Sequence, residues 1–239
     1  MDKSIIYYTH NICEPEIFSA VQKTLLKAGL PIVSCSLKPI DFGENIVLDL
    51  EPGVITMTKQ ICTVLETSES KYVFFAEHDV LYHETHFDFT PPRDDTYYYN
   101  ENVWRWDFPK DRLIGYDGLK SLSGMCCNRQ LAVNHYRKKL ELIEKNRWEN
   151  GRDPYWARRI GYEPGKPIRR GGLMDEKTDT WKSKYPLIDI RHRGTITKPK
   201  VDLSSFNTQP TGWKEITFNQ VEGWNFKELC SHPHSNLPH

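Results

Sequence analysis

The chain has 239 residues, long enough to bury a sizeable core, and is 38% hydrophobic and 27% charged, which excludes a disordered polyelectrolyte. Lys plus Arg and Asp plus Glu both number 32, so the formal net charge is zero and no global field recruits polyanions; a nucleic-acid partner would need a local basic patch. No apolar run approaches the ~20 residues that a membrane helix requires.

In chain order, MDKS passes straight into an apolar β-type run at residues 4–9, and the absence of a basic, cleavable leader pattern leads us to expect a cytoplasmic protein. Residues 14–28 carry Ile17, Val21, Leu25 and Leu26 at helical spacing, and Gly29 ends the helix. Pro31 opens a strand at 32–36. Residues 37–53, with Pro39, Gly43, Pro52 and Gly53, read as a loop; 56–68 as a helix; 72–76 as a third buried strand. This order predicts a mostly parallel sheet flanked by helices. Beyond it the pattern changes to a mixed part. Residues 97–100 and 103–106 read as strands at a sheet edge, 119–125 as another strand, and 129–145 as an amphipathic helix. A short helix at 153–160 is capped by Asp153, with Pro154 in its first turn, and the tail from 231 reads as loose.

The stretch KYVFFAEHD at 71–79 carries the most chemistry. A buried strand ends in two acids, Glu77 and Asp79, one residue apart. Carboxylates at such a strand end meet the crevice where α/β folds bind ligands, and they can converge on a hard divalent cation and the phosphates it neutralises. His78, His83 and His86 crowd the same segment without the HExxH spacing of a zinc helix. IDIRHRG at 188–194 reads as a short strand running into a cationic loop, where His192 can be a metal ligand and Arg191 or Arg193 can meet a diphosphate. Asp153 is either a helix cap or a general base facing an acceptor. The aromatic run 97–106 suits either a half-buried sheet or a stacking surface. Cys13, Cys35, Cys62, Cys126, Cys127 and Cys230 show no CxxC spacing, so they read as reduced thiols, with neither a disulfide framework nor a zinc site.

The order strand, helix, strand, helix, strand, acidic pair resembles the GT-A (Rossmann-like) fold of nucleotide-sugar glycosyltransferases, and VFFAEHDVLYH stands where that fold has its Asp-x-Asp motif. The likeness is to small family-two-like enzymes of bacteria and phages. It spans about residues 4–197 in order of elements, with Glu77 in place of the first Asp. The resemblance implies one GT-A-like domain over 1–239: a nucleotide-binding half at 1–80, an acceptor-side half at 81–200 and an extension at 201–239. It implies that Thr9, Ser36, Asn45, Gln60 and Glu77 face the nucleotide, and that Asp79, His192 and Glu77 hold Mn2+ or Mg2+. Residues 118–125 would lie beside the acceptor. Asp153 would be the base of an inverting transfer, a partial match because Arg152 precedes it. The donor would be a nucleoside-diphosphate sugar, UDP-linked by preference. The acceptor would be a glycan, a protein, a small molecule or a hydroxymethylated DNA base, in a bacterium or a phage-infected host. Two other readings stay open: a metal-dependent phosphoester hydrolase or nuclease using the His/Asp cluster, and a sugar- or nucleotide-binding module without turnover.

Overall fold

The structure is a computed structural model, and it describes residues 2–108, 110–145, 164–165, 176–192, 194–195 and 200–226. The first half runs β1 (Lys3–Thr9), α1 (Pro15–Leu26), β2 (Ile32–Ser36), β3 (Glu44–Val47), α2 (Val54–Thr67), β4 (Tyr72–Glu77). It continues with β5 (Val80–Leu81), β6 (Thr96–Asn100), β7 (Val103–Asp107), β8 (Leu113–Gly115), β9 (Met125–Asn128) and α3 (Arg129–Lys145). Then come β10 (Lys177–Trp181), β11 (Leu187–Arg191) and β12 (Lys214–Ile216).

A seven-stranded sheet has the order β10-β6-β9-β4-β1-β2-β3. Its strands are parallel except β9, which runs against both β4 and β6. A five-stranded sheet, β12-β8-β7-β11-β5, is mixed. This is the mixed α/β architecture expected from the alternation of short apolar runs and helices.

The core follows from the period of two in a strand. On one face of the large sheet, Ile5, Tyr7, Phe74 and Ala76 pack with Ile17, Val21 and Leu25 of α1 and with Leu187 and Ile188 of the small sheet. On the other, Ile6, Tyr8, Val73 and Phe75 pack with Ile61, Val64 and Leu65 of α2 and Ala132, Val133 and Tyr136 of α3. Both faces are covered, which is why these strands read as unbroken apolar runs. Each Val, Leu, Ile or Phe among them contributes about 1.5–3 kcal/mol when fully buried.

Several elements differ from expectation. Residues 37–53 contain a strand, β3, parallel to β2. It is short, only half apolar and half exposed, so neither periodicity nor hydrophobicity announces it. Gly43 at its start has φ +63, and a Cβ there would lie 2.3 Å from the Ile32 carbonyl oxygen, so this turn requires glycine. The aromatic strands are not edges: β6 lies between β10 and β9, and β7 between β8 and β11. Residues 122–124 form a 3-10 turn, and the strand expected at 119–125 is instead β9. The helix expected at 153–160 and the tail lie outside the described residues.

Candidate functional site

From β1 the chain moves to β2 through α1 on one face, then returns past β1 to β4 through α2 on the other. The order therefore reverses between β1 and β4, and a crevice opens beyond the carboxyl ends of strands at such a point. A cleft of about 360 Å3 is found there. Thr9, His10, Gln60, Glu77, His78 and Asp79 line it from the large sheet, and Arg105, Tyr116, Asp189 and Arg191 from the small one.

The two acids sit where the sheets meet. Glu77 ends β4, pairs in register with Tyr8, and accepts a 2.6 Å hydrogen bond at Oε1 from the Tyr8 hydroxyl. Its N–H donates to the Tyr82 hydroxyl at 3.0 Å. Two residues on, β5 already belongs to the small sheet, and the Asp79 carbonyl accepts from Ile190 N–H at 2.8 Å. Asp79 is buried; desolvation, then the charges of Glu77 and Asp189, push its carboxyl well above the usual range, while Arg191 opposes the rise. Asp189 itself bridges two cations, accepting from Arg105 Nε at 3.1 Å and from Arg191 Nη1 at 3.2 Å. Burial works against the Arg191 cation, but Asp189, Asp79 and Glu77 outweigh it and hold it charged.

His192 follows β11 and is buried. Its Nδ1 lies 2.7 Å from Glu14 Oε2. The Gly194 N–H also approaches Nδ1, at 3.3 Å. A carboxylate only accepts, so the shorter contact needs a proton on Nδ1, and in the neutral ring that leaves the lone pair on Nε2. Nε2 has no hydrogen-bond partner among the described residues and lies 3.9 Å from Asp79 Oδ2. That gap is too long for a hydrogen bond; two ligand bonds of ~2.1 Å span ~3.0–3.4 Å at octahedral or tetrahedral angles, so the two groups would close by roughly half an ångström or more to share a cation. A buried carboxylate and an oriented imidazole facing each other across the gap fit a divalent cation.

The other sequence candidates divide. Thr9 lies in the cleft, its Oγ1 accepting from Asn11 N–H at 3.0 Å. Gln60 reaches from α2 to donate to the carbonyls of Thr9 (2.7 Å) and Cys35 (3.2 Å), tying the ends of β1 and β2 together at the cleft wall. Ser36 and Asn45 are not among the cleft residues; they bond to each other, and Asn45 also takes Ser34 Oγ at 2.9 Å, which staples β3 to β2. Residues 120–123, in the segment expected beside an acceptor, line the cleft. The histidine cluster does not assemble: only His78 faces the cleft, His86 is fully buried against Asn100, and His83 packs on Tyr185. Burial, then His10 and His192, bring His78 down to about 3, so it is a neutral donor. Asp153 and Arg193 lie outside the described residues.

Arg105, Tyr116 and Lys200 also face the cleft, and no sequence signal singles them out, whereas Lys120 belongs to the segment expected beside an acceptor. Arg105 donates to the Tyr116 hydroxyl at 2.7 Å, and Lys120 pairs with Glu101 at 3.3 Å. Their positions depend on how β7, β8 and the 3-10 turn pack, which is a long-range matter.

No protein-family model matches the chain, and no curated sequence does. Among solved structures, it is similar to a glycosyltransferase involved in glycosylation of the major capsid of PBCV-1, with TM-score 0.44 and 9% identity over 76% of this chain and 82% of that one. It is similar to the apo-form glycosyltransferase GlyE of Streptococcus pneumoniae TIGR4 (0.39, 11%, over 63% and 41%) and to HddC of Yersinia pseudotuberculosis (0.43, 10%, over 79% and 93%). At these values the likeness decides no chemistry; that rests on the chain's own topology and residues.

Proposed function

We propose that the protein is a metal-dependent glycosyltransferase that takes its sugar from a nucleoside-diphosphate donor. The observation that carries this reading is the cleft at the β1/β4 reversal, lined by buried Asp79 and by Arg191, with His192, not itself a lining residue, presenting Nε2 3.9 Å from Asp79 Oδ2. Thr9, Gln60 and Glu77 form the donor side, where the nucleoside packs against the ends of β1 and β4. Asp79 and His192, with Glu77 adjacent, would hold Mn2+ or Mg2+, and such a cation when bound neutralises the diphosphate leaving group. Arg191 and Arg105 add fixed positive charge on the opposite wall, held in place by Asp189. Tyr116 and residues 120–123 form the acceptor side. The sequence resemblance supplies Asp153 as the base that takes the acceptor hydroxyl's proton in an inverting transfer. A UDP-linked sugar is the preferred donor. The acceptor is a glycan hydroxyl or a hydroxymethylated DNA base, and only the latter binds with a steep salt dependence.

The test is a melting-temperature panel of nucleoside-diphosphate sugars with and without Mn2+. A ligand at 100 times its Kd stabilises by about 2.7 kcal/mol. One donor should raise the transition, Mn2+ should add to the rise, and Asp79→Ala should remove the Mn2+-dependent part. If no nucleoside diphosphate binds, or the protein cleaves a phosphoester with no sugar present, the proposal is wrong.

A further inference from the structure

Beside the carboxylates lies a second donor set, of which the sugar-transfer reading uses only His192. Cys13, in the β1–α1 loop, His78, between β4 and β5, and His192, after β11, each offer one ligand atom, and these atoms lie within 4.8 Å of one another. The three residues are remote in sequence and are brought together only because three strands end at the same place. A Zn–S bond is ~2.3 Å and a Zn–N bond ~2.1 Å, so at tetrahedral angles S and N donors on one ion lie ~3.6 Å apart, and donor atoms as far as 4.8 Å apart approach by about 1 Å to share it.

Three further features favour a ligand role. Cys13 is a free, partly exposed thiol, its Sγ 3.8 Å from the His78 carbonyl oxygen. The His192 ring is oriented by the Glu14 carboxylate on Nδ1, the arrangement in which an outer carboxylate aims an imidazole at a metal. Its buried Nε2 has no hydrogen-bond partner among the described residues, and Asp79 Oδ2, 3.9 Å away, is within reach as a fourth donor. A set of one thiol, two imidazoles and one carboxylate is softer than the oxygen-rich shell that Mg2+ requires.

We propose that Cys13, His78 and His192 form a binding site for a borderline-soft divalent cation, Zn2+ or Co2+, with Asp79 as a fourth ligand. The proposal goes beyond the donor reading through Cys13, which does not line the cleft, and shares His192 and Asp79 with it. A cation held by the thiolate therefore competes with Mn2+ bound for the diphosphate.

Titration of the reduced full-length chain with Co2+, followed by absorption, tests it. One equivalent should produce a thiolate-to-cobalt charge-transfer band, which Cys13→Ser should abolish and Cys62→Ser leave intact. His78→Ala should weaken Zn2+ binding tenfold or more. The unsubstituted protein provides an independent measurement: Zn2+, but not Mg2+, should protect Cys13 from alkylation, read by peptide mass spectrometry. No band, a band surviving in Cys13→Ser, or unprotected Cys13 would overturn the site. Failure of the donor reading shows elsewhere, as loss of nucleotide-dependent stabilisation with the cobalt signal intact.

Discussion

His86 sits in an aromatic box, with Phe74 and Phe87 edge-on and Trp181 stacked at 5.4 Å, and its Nδ1 is 3.0 Å from the Asn100 side-chain amide. Burial brings its pKa from 6.5 down to about 3. The folded state thus holds it neutral, while the unfolded chain takes up a proton below pH ~6.5. The associated stability is fully present above that pH and is lost as pH falls from there toward 3, at about 1.4 kcal/mol per unit. From pH 7 to pH 5 the loss is about 2 kcal/mol. His86→Gln keeps an acceptor for Asn100 and removes the titration, so urea denaturation should show the gap between wild type and variant narrowing by that amount. Parallel pH profiles for the two would refute this. The sequence crowds three histidines into this segment without a metal-binding spacing, and burial shows that His86 belongs to the core.

At the scale of elements, β3 shows how a short, half-exposed strand is held. Asn45 Oδ1 accepts from Ile40 N–H at 3.2 Å, and its Nδ2 donates to Ser34 and Ser36 at 2.9 and 3.0 Å. These bonds fasten an edge strand of four residues that buries little apolar surface. Asn45→Ala should cost about 2 kcal/mol, since several partly buried partners lose their match together. Denaturant midpoints measure this. Nucleotide binding in the same variant should stay within a factor of about two, and a tenfold loss would instead put Asn45 at the ligand, as the family resemblance implies. The strands β1, β2 and β4 were legible because both of their faces are apolar, and α3 because its stripe follows the helical period. β3 was not, because its reason to exist is a side-chain staple to a strand ten residues earlier.

Across the whole molecule, the turn from Glu77 to Val80 passes the chain from one sheet to the other, and Asp189 secures the junction from the far side. It is buried between Arg105 and Arg191. Removing one partner of a buried ionic cluster leaves uncompensated charge, typically at a cost of 3–5 kcal/mol. Asp189→Ala should therefore destabilise by about 3 kcal/mol, somewhat relieved because Glu77 and Asp79 also attract Arg191. A denaturation shift below about 1 kcal/mol would mean that the two acids alone hold the arginines.

From its sequence alone the chain determined the parallel β-α core, the acid pair at the end of β4 and the IDIR strand, because each is written in a contiguous run whose burial pattern repeats with the local period. Which groups meet at and around the cleft was decided only by the tertiary structure. His192 faces Asp79 rather than solvent, Glu14 orients it, Cys13 and His78 bring ligand atoms within 4.8 Å of each other, and Asn45 turns to its neighbouring strand. These meetings join segments up to about 180 residues apart in the chain, and no local pattern encodes a distance set by the order and twist of strands in a sheet.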